Sequence, residues 1–219
     1  MRIVIADGHG QIARQFGRLV SETRHQPVGM IRKAEQIPDL QEDGVEPAII
    51  DLEATDVAEM TDILRGADVV VFAAGGGADG NARRKETVDK GAAIMLADAA
   101  EAAGVRRYVM VSAMGTDQAD PPAADGSDED VFQIYLRAKQ AADDDIRARD
   151  LDWTIVKPGR LTDDVPTGCV QLGQLEYGSV TRGDVAHVLA EVIEADNTIG
   201  KTFDVLGGDV PIKEAVAEL

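Results

Sequence analysis

Short apolar runs alternate with amphipathic stretches along the whole chain. The run 3–5 is β-branched, and residues 69–72 form a continuous apolar run typical of a strand buried on both faces. Apolar residues at Ile12, Phe16 and Val20 have the spacing of one helical face. The pattern predicts strands at 3–5, 27–31, 45–50, 68–73, 107–112, 153–156 and 202–206, and helices at 11–24, 57–64, 81–103, 131–149 and 184–195.

Repeated strand–helix units predict an α/β fold, with a parallel sheet covered by helices on both faces. Because such crossovers are right-handed, the leading topology is a doubly wound, mostly parallel, Rossmann-like sheet. A closed eightfold barrel would usually need about 250 residues. We therefore expect a single domain over residues 1–219, in which the part after about residue 159 forms a small substrate-side extension. The stretch 115–130 is expected to be a surface loop.

Composition and charge narrow the classes of partner. Forty Asp and Glu oppose 22 Lys and Arg, and the formal net charge of −18 disfavours nucleic acid and membrane partners. The excess of acidic residues indicates either an ordinary solvated protein surface or adaptation to a cytoplasm of high salt concentration. No apolar run reaches the about 18 residues of a membrane helix, and the strand-like N-terminus does not resemble a signal peptide. We expect a cytoplasmic protein whose oligomeric state stays open.

A glycine-rich turn joins the first predicted strand to the first helix. Gly8, Gly10 and Ala13 fit the pattern G-x-G-x-x-A in the strand–turn–helix context that a dinucleotide site requires. Glycine lets the backbone approach a pyrophosphate, and the helix N-terminus offers free N–H groups to it. The alternative is a tight structural turn that binds nothing. The predicted contacts in this turn are Gly8, His9, Gly10, Gln11 and Ile12.

A second register of the same turn is possible, with Asp7, Gly10 and Ala13 at the three key positions. In that register Asp7 stands where a first glycine is expected. Its carboxylate would repel a pyrophosphate, and its side chain would resist a left-handed backbone. Both registers share Gly10 and Ala13, so the sequence leaves them open.

The end of the second strand indicates which dinucleotide is bound. NAD sites usually have an acidic residue there, whereas this chain has Arg32 and Lys33, which suit the 2′-phosphate of NADP. Arg14 is expected to add to them. The alternative is that these cations only offset nearby acids. NADP is favoured over NAD, and further contacts are expected from Asp51, Leu52, Ala73, Ala74 and Gly75.

Tyr135 and Lys139 are spaced i, i+4 on a predicted helix and therefore share a face. A nearby ammonium lowers the pKa of a phenol, which suits proton transfer to a carbonyl oxygen during hydride transfer. Ser112, at the end of the fifth strand, is expected to orient the same oxygen, and Asp89 is expected to face the site. The alternative is a surface pair on a charged helix.

The chain resembles the atypical short-chain dehydrogenase/reductases, in the group of NAD(P)-binding, NAD-dependent epimerase/dehydratase-like proteins. The resemblance implies a catalytic set of Asp89, Ser112, Tyr135 and Lys139, with Lys139 also contacting the cofactor. It places Pro158 and Gly159 beside the nicotinamide. The family's G-x-x-G-x-x-G falls on Asp7, Gly10 and Ala13, and Ala113 replaces the second serine of many relatives. The matching segments are IVIADGHGQIA (3–13), VFAAG (71–75), YVMVS (108–112), YLRAK (135–139) and VKPGRLT (156–162).

Two functions remain open. The first is an NADP(H)-dependent oxidoreductase that transfers hydride to a small carbonyl, quinone or flavin-like acceptor. The second is a non-catalytic NADP(H)-binding module that senses redox state or binds another protein, and Asp7 and Ala113 favour it. The three histidines lack metal-ligand spacing, so no metal site is expected.

Overall fold

The structure is a computed structural model that describes residues 1–75, 81–121 and 130–219. Within these ranges, nine strands form one sheet in the order β11-β8-β10-β6-β5-β4-β1-β2-β3, and β7 pairs with β9 in a separate ribbon. The strands are β1 (Arg2–Ala6), β2 (Gln26–Ile31), β3 (Glu46–Ile49), β4 (Val69–Phe72), β5 (Arg107–Val111), β6 (Asp152–Pro158), β7 (Arg160–Thr162), β8 (Cys169–Gly173), β9 (Ser179–Thr181), β10 (Lys201–Gly207) and β11 (Val210–Pro211).

Helices cover both faces of this sheet. One hydrophobic core lies between the sheet and α3, α5 and α6, and a second lies between the sheet and α1, α7 and α8. The helices are α1 (Gln11–Ser21), α2 (Ile37–Glu42), α3 (Val57–Leu64), α4 (Ala82–Arg84), α5 (Ala93–Ala103), α6 (Val131–Arg147), α7 (Arg182–Val192) and α8 (Ile212–Ala217). A π-helix, Lys85–Ala92, joins α4 to α5. No helix in the described ranges combines the length and the apolar composition needed to cross a bilayer.

The prediction of a doubly wound, mostly parallel sheet is confirmed. β1 pairs in parallel with β2 on one side and with β4 on the other, so the strand order reverses beside β1. In such sheets, ligands bind in the crevice at the carboxyl ends of the strands where the order reverses. Among the described strands of the large sheet, the antiparallel pairings are those of β8 with β10 and of β8 with β11.

The helix predicted at 81–103 is not one regular helix. It begins as α4, continues as the π-helix and ends as α5, where Gly104 takes a left-handed conformation with φ 76°. The π-helix buries Lys85 and Asp89, two residues that a regular amphipathic pattern does not mark as internal. Single-turn π segments occur frequently at functional sites.

Several short elements were absent from the predicted pattern. They are α2, α8, β7, β8, β9 and β11, each of six residues or fewer and without a clear apolar run or period in its sequence. Of the loop predicted at 115–130, residues 115–121 and Asp130 are described, and they include a 3₁₀ turn at Thr116–Gln118, with Thr116 buried. Residues 122–129 of that loop lie outside the described residues. The same holds for residues 76–80, which include Gly76 and Gly77 directly after Gly75.

A candidate dinucleotide crevice at the carboxyl edge of the sheet

The turn between β1 and α1 adopts the second of the two registers. Asp7 has φ 58°, a left-handed conformation, and its carbonyl accepts a hydrogen bond of 2.9 Å from the N–H of Gly10, the N-cap of α1. A β-carbon on Gly8 would lie 2.6 Å from the Cα of Gly29 in β2. Gly8 is therefore needed for close packing between backbones, and its expected contact with a pyrophosphate stays a prediction.

Gly10 and Ala13 lie in the positions that the pattern assigned to them. Gly10 precedes the first turn of α1, whose leading N–H groups have no partner within the helix. Ala13 is buried between α1 and the sheet, where a larger side chain would push the helix away. The turn thus presents the positive end of a helix dipole to the crevice, which is the arrangement that binds phosphate groups.

Two residues near this turn form contacts that the sequence did not predict. Arg14 Nε lies 2.6 Å from Asp43 Oδ2, and Arg14 also approaches Asp39. The expectation that Arg14 contributes to a 2′-phosphate site is therefore wrong, because its guanidinium is held between α1 and α2. His9 Nε2 lies 2.7 Å from Asp39 Oδ2, on the same side of the turn.

A cavity of about 80 Å³ lies between the β1–α1 turn and the ends of β2 and β3; we call it the β3 cavity. It brings together Arg32, Asp51, Leu52, Ala74 and Gly75, which the sequence predicted as dinucleotide contacts. Lys33, predicted as a second cation, is exposed to solvent and does not line the cavity. Further lining residues, which the sequence did not predict, are Met30, Gln36, Ile50, Glu53, Arg84 and Val88.

Arg32 and Arg84 are the cations of the β3 cavity, and both face Glu53. Arg32 Nη1 lies 3.9 Å from Glu53 Oε2, and Arg84 Nε lies 3.2 Å from the same oxygen. Arg84 comes from α4, and no pattern in the sequence pointed to it as a residue of this cavity. The cavity thus holds two guanidinium groups beside Glu53, and its lining includes two further carboxylates, those of Asp7 and Asp51.

A second cavity, of about 170 Å³, lies beside α6 at the ends of β4, β5 and β6; we call it the α6 cavity. Its lining joins residues predicted from five separate segments, namely Ile12, Ala73, Ala74, Gly75, Ser112, Ala113, Tyr135, Lys139, Pro158 and Gly159. Ala74 and Gly75 line both cavities. Each cavity is smaller than the about 300 Å³ of a typical ligand site, so a dinucleotide would extend along the crevice that joins them.

Tyr135 lies in the wall of the α6 cavity, with the ammonium of Lys85 5.4 Å from the centre of its ring. Burial raises the pKa of Tyr135 above its usual value, and the carboxylates of Asp89 and Asp143 raise it further. The expectation that Lys139 lowers the pKa of Tyr135 is therefore wrong. Because they share a face of α6, Tyr135 and Lys139 both line this cavity, but the hydroxyl of Tyr135 and the ammonium of Lys139 have different neighbours.

The side chain of Lys139 is directed toward the ends of the strands. Its Nζ donates to the carbonyl of Ala74 at 3.2 Å and to that of Val111 at 3.1 Å, and lies 3.4 Å from Asp89 Oδ1. Only 3% of the Lys139 side chain and none of the Asp89 side chain is exposed. Asp89 therefore approaches the α6 cavity only through its buried ion pair with Lys139 and does not line that cavity, so its expected catalytic role stays a prediction.

Ser112 is engaged in a contact that the sequence did not predict. Its Oγ donates a hydrogen bond of 2.8 Å to Oδ2 of Asp143, a fully buried residue on α6. Lys157 Nζ lies 3.7 Å from the same carboxylate oxygen. Burial raises the pKa of Asp143, although the hydrogen bond from Ser112 opposes this effect. The expected role of Ser112 in orienting an acceptor oxygen thus competes with this bond.

One signal in the sequence pointed to Asp143. It follows Lys139 by four residues, just as Lys139 follows Tyr135, so all three share one face of α6. Lys157 lies on β6 directly before Pro158, but no local pattern indicated that its side chain would be buried.

Comparisons with known proteins agree with this geometry. Residues 8–196 match the model of a family described as NAD(P)H-binding. The chain is 31% identical over 221 residues to an uncharacterized sugar epimerase of Bacillus subtilis, with all of both chains covered. A solved structure assigned as an NAD-dependent epimerase/dehydratase of Bacillus halodurans is 36% identical, with a TM-score of 0.90 and full coverage of both chains. An oxidoreductase of Lactococcus lactis is 31% identical, with a TM-score of 0.87 and 100% of this chain and 96% of that chain covered.

Proposed function

Because this chain belongs to the family of NAD(P)H-binding proteins, we propose that it is an NADP(H)-dependent oxidoreductase whose acceptor is a small carbonyl, quinone or flavin-like compound. One observation carries the proposal: Tyr135 and Lys139 meet Pro158, Gly159 and the ends of β4 and β5 around a single cavity. A titratable group with a perturbed pKa in such a cavity marks a candidate reaction centre.

The residues of the crevice suit a dinucleotide along its length. The N–H groups at the start of α1 would hold the diphosphate, and Gly10 leaves room for it because it has no side chain. The β3 cavity would take the adenosine end, with Arg32 and Arg84 beside the 2′-phosphate. The α6 cavity would take the nicotinamide. The residue that fits least well is Asp7, whose carboxylate lines the same crevice.

In this proposal Tyr135 is the proton donor. When bound, the nicotinamide supplies the hydride. Because burial raises the pKa of Tyr135, its hydroxyl stays protonated at neutral pH and can give a proton to an oxygen that becomes negative. The same shift disfavours the tyrosinate, so Tyr135 carries its proton when an acceptor arrives. Lys139 holds the ends of β4 and β5 in place beside Asp89.

Of the Lactococcus lactis and Bacillus subtilis relatives, one supports a redox function by its name and the other does not. The Lactococcus lactis protein is called an oxidoreductase, and the match covers all of this chain and 96% of that protein. The Bacillus subtilis relative is called a sugar epimerase. The part of the chain beyond Gly159 comprises the strands β7 to β11 and the helices α7 and α8, and its small size favours a compact acceptor over a sugar nucleotide.

Replacing Tyr135 with phenylalanine tests the proposed reaction. We expect NADPH oxidation in the presence of quinones, flavins or aldehydes to fall about 100-fold, because general acid catalysis contributes about that much. The affinity for NADPH, followed by its fluorescence, should change less than about twofold. Tyr177→Phe is the matched control, because Tyr177 is 69% exposed and lies outside the α6 cavity. Equal turnover in both variants would contradict the role of Tyr135.

Replacing Arg32 with alanine tests the choice of NADP. We expect the preference for NADPH over NADH to fall about tenfold, since a hydrogen bond to a charged group contributes about 1.5 kcal/mol. The two dissociation constants would be measured by fluorescence titration at fixed ionic strength. Arg65→Ala removes one exposed guanidinium that pairs with Asp62 on α3, far from the crevice, and serves as the control. An unchanged ratio in Arg32→Ala would count against a 2′-phosphate site at this position.

The bond between Ser112 and Asp143 favours a second candidate, a dinucleotide-binding module without turnover. A serine whose hydroxyl already donates to a buried carboxylate is less available to an acceptor. This alternative predicts NADPH binding without oxidation of NADPH by any acceptor in the screen, for the parent protein as well as for Tyr135→Phe.

A further inference from the structure

Asp7 occupies an unusual place in the crevice. It is the one non-glycine residue with positive φ among the described residues. The family pattern has glycine at this position because the turn demands a left-handed backbone. Asp and Asn tolerate this conformation better than other residues with side chains. The conformation is therefore strained but accessible to Asp7.

The carboxylate of Asp7 lies at the N-terminal end of α1. A β-carbon built on Gly10, the N-cap, would be 3.4 Å from Asp7 Oδ2. This is the end of the helix at which a phosphate would bind. None of the described residues donates a hydrogen bond to the Asp7 side chain, and burial raises its pKa. A dinucleotide diphosphate would thus meet a carboxylate that the surrounding protein solvates poorly.

Charged groups face Asp7 from each neighbouring segment. His9 in the same turn, Arg32 at the end of β2 and Arg84 on α4 lower its pKa, but they do not offset the effect of burial. Asp51 and Glu53, at the end of β3, line the same cavity and add negative charge. Because Glu53 faces both arginines, part of their positive charge is already balanced.

We propose that Asp7 contacts the dinucleotide diphosphate as a neutral carboxylic acid, donating its O–H to a phosphate oxygen, so that cofactor binding takes up one proton from solution. The inference rests on the proposed NADP(H) site and adds a linkage to pH. The proton comes from the solvent, joins the carboxylate of Asp7 and returns to the solvent when the dinucleotide leaves. Affinity therefore falls as the pH rises above the pKa of Asp7 in the free protein.

The test compares the parent protein with Asp7→Asn, a neutral variant of the same shape that tolerates the left-handed turn. Dissociation constants for NADP⁺ would be measured by calorimetry between pH 5.5 and 8.5. Because the 2′-phosphate itself titrates near pH 6, the ratio of the two constants is the quantity to follow. We expect Asp7→Asn to bind about tenfold more tightly at pH 8 and the advantage to shrink as the pH falls.

Proton uptake supplies a second readout. In buffers of different ionisation enthalpy, the parent protein should take up more protons on binding than Asp7→Asn, by up to one per site. Asp62→Asn removes one carboxylate from an exposed position on α3 and controls for the change in net charge. It should bind NADP⁺ with the affinity of the parent protein.

The outcomes separate this inference from the proposed function. If the parent protein and Asp7→Asn bind with equal affinity and equal proton uptake at every pH, the role of Asp7 is wrong and the NADP(H) site stands. If neither protein, nor Asp7→Gly with its relaxed turn, binds NADP⁺ or NAD⁺, the proposed function fails and this inference fails with it.

Discussion

Replacing Lys139 with methionine should lower the free energy of unfolding by about 3–5 kcal/mol, because it removes one partner of a buried ion pair. Asp89 is fully buried, and its Oδ1 lies 3.4 Å from Lys139 Nζ. Methionine keeps most of the apolar length of the side chain but leaves the carboxylate of Asp89 and the carbonyls of Ala74 and Val111 without the ammonium. Urea unfolding followed by circular dichroism measures the change.

A double-mutant cycle separates the pair from the rest of the site. If the ion pair accounts for the loss, Asp89→Leu in the Lys139→Met background should recover a large part of it, since a well-packed apolar pair often replaces a buried ion pair without cost. Lys90→Met is the matched control; Lys90 is 41% exposed, pairs with Glu86, and should contribute less than about 1 kcal/mol. A loss below about 1 kcal/mol in Lys139→Met would contradict the structural role of this residue.

This expectation affects how activity data on the crevice are interpreted. A variant of Lys139 would lose activity whether or not the ammonium acts on an acceptor, because the ends of β4 and β5 would lose a common donor. Tyr135 makes no comparable contact with these strand ends, so Tyr135→Phe is the more selective probe of proton transfer. The stability of each variant should be known before its turnover is compared.

The sheet and the place of the crevice were predictable because their signals are local. A buried strand such as 69–72 is recognisable in the sequence as a continuous apolar run. The rule that crossovers are right-handed then limits the order in which the strands can lie in the sheet. The residues predicted for the α6 cavity met there for the same reason, since each lay at or just after the end of a strand, on α6, or, for Ile12, in the first turn of α1. The topology of the sheet brings such positions together irrespective of the contacts that their side chains make.

The details of the site depend on contacts between distant residues, which the sequence does not show. The i, i+4 spacing placed Tyr135 and Lys139 on one face, but the pKa of Tyr135 is set by depth and by the neighbouring carboxylates. Arg14 was predicted as a phosphate ligand, but Asp43, on a segment with no clear period, holds it. In both cases the sequence places the residue on the correct face of its helix. The group that the residue contacts is determined by tertiary packing, which the sequence does not show.

The register of the β1–α1 turn is a further example. Gly8 fits the pattern G-x-G-x-x-A, which is defined only by the spacing of residues along the sequence. Its requirement for glycine comes from Gly29, a residue on β2 that approaches it from the adjacent strand. Asp7 then takes the left-handed position that glycine would normally fill. Two glycines in different segments thus decide a register that the pattern left open.

Replacing Gly8 with valine should therefore destabilise the protein by about 3 kcal/mol, at the upper end of the cost of overpacking. The new β-carbon would lie 2.6 Å from the Cα of Gly29 and 3.0 Å from its carbonyl carbon, and neither backbone atom can move without shifting β2. The displaced turn would also move the N-terminus of α1, so NADP⁺ affinity should fall together with stability. Urea unfolding and calorimetric titration measure the two effects.

Gly207→Val is the matched control for this change. Gly207 lies on β10, and a β-carbon there would be 3.5 Å from the carbonyl oxygen of Ser179, an ordinary contact. Because valine favours strands, we expect little loss of stability at this position. If Gly8→Val proved as stable as Gly207→Val, the close approach of β2 to the turn would not require glycine. The G-x-G-x-x-A register, in which Gly8 faces the phosphates, would then be the better description of the turn.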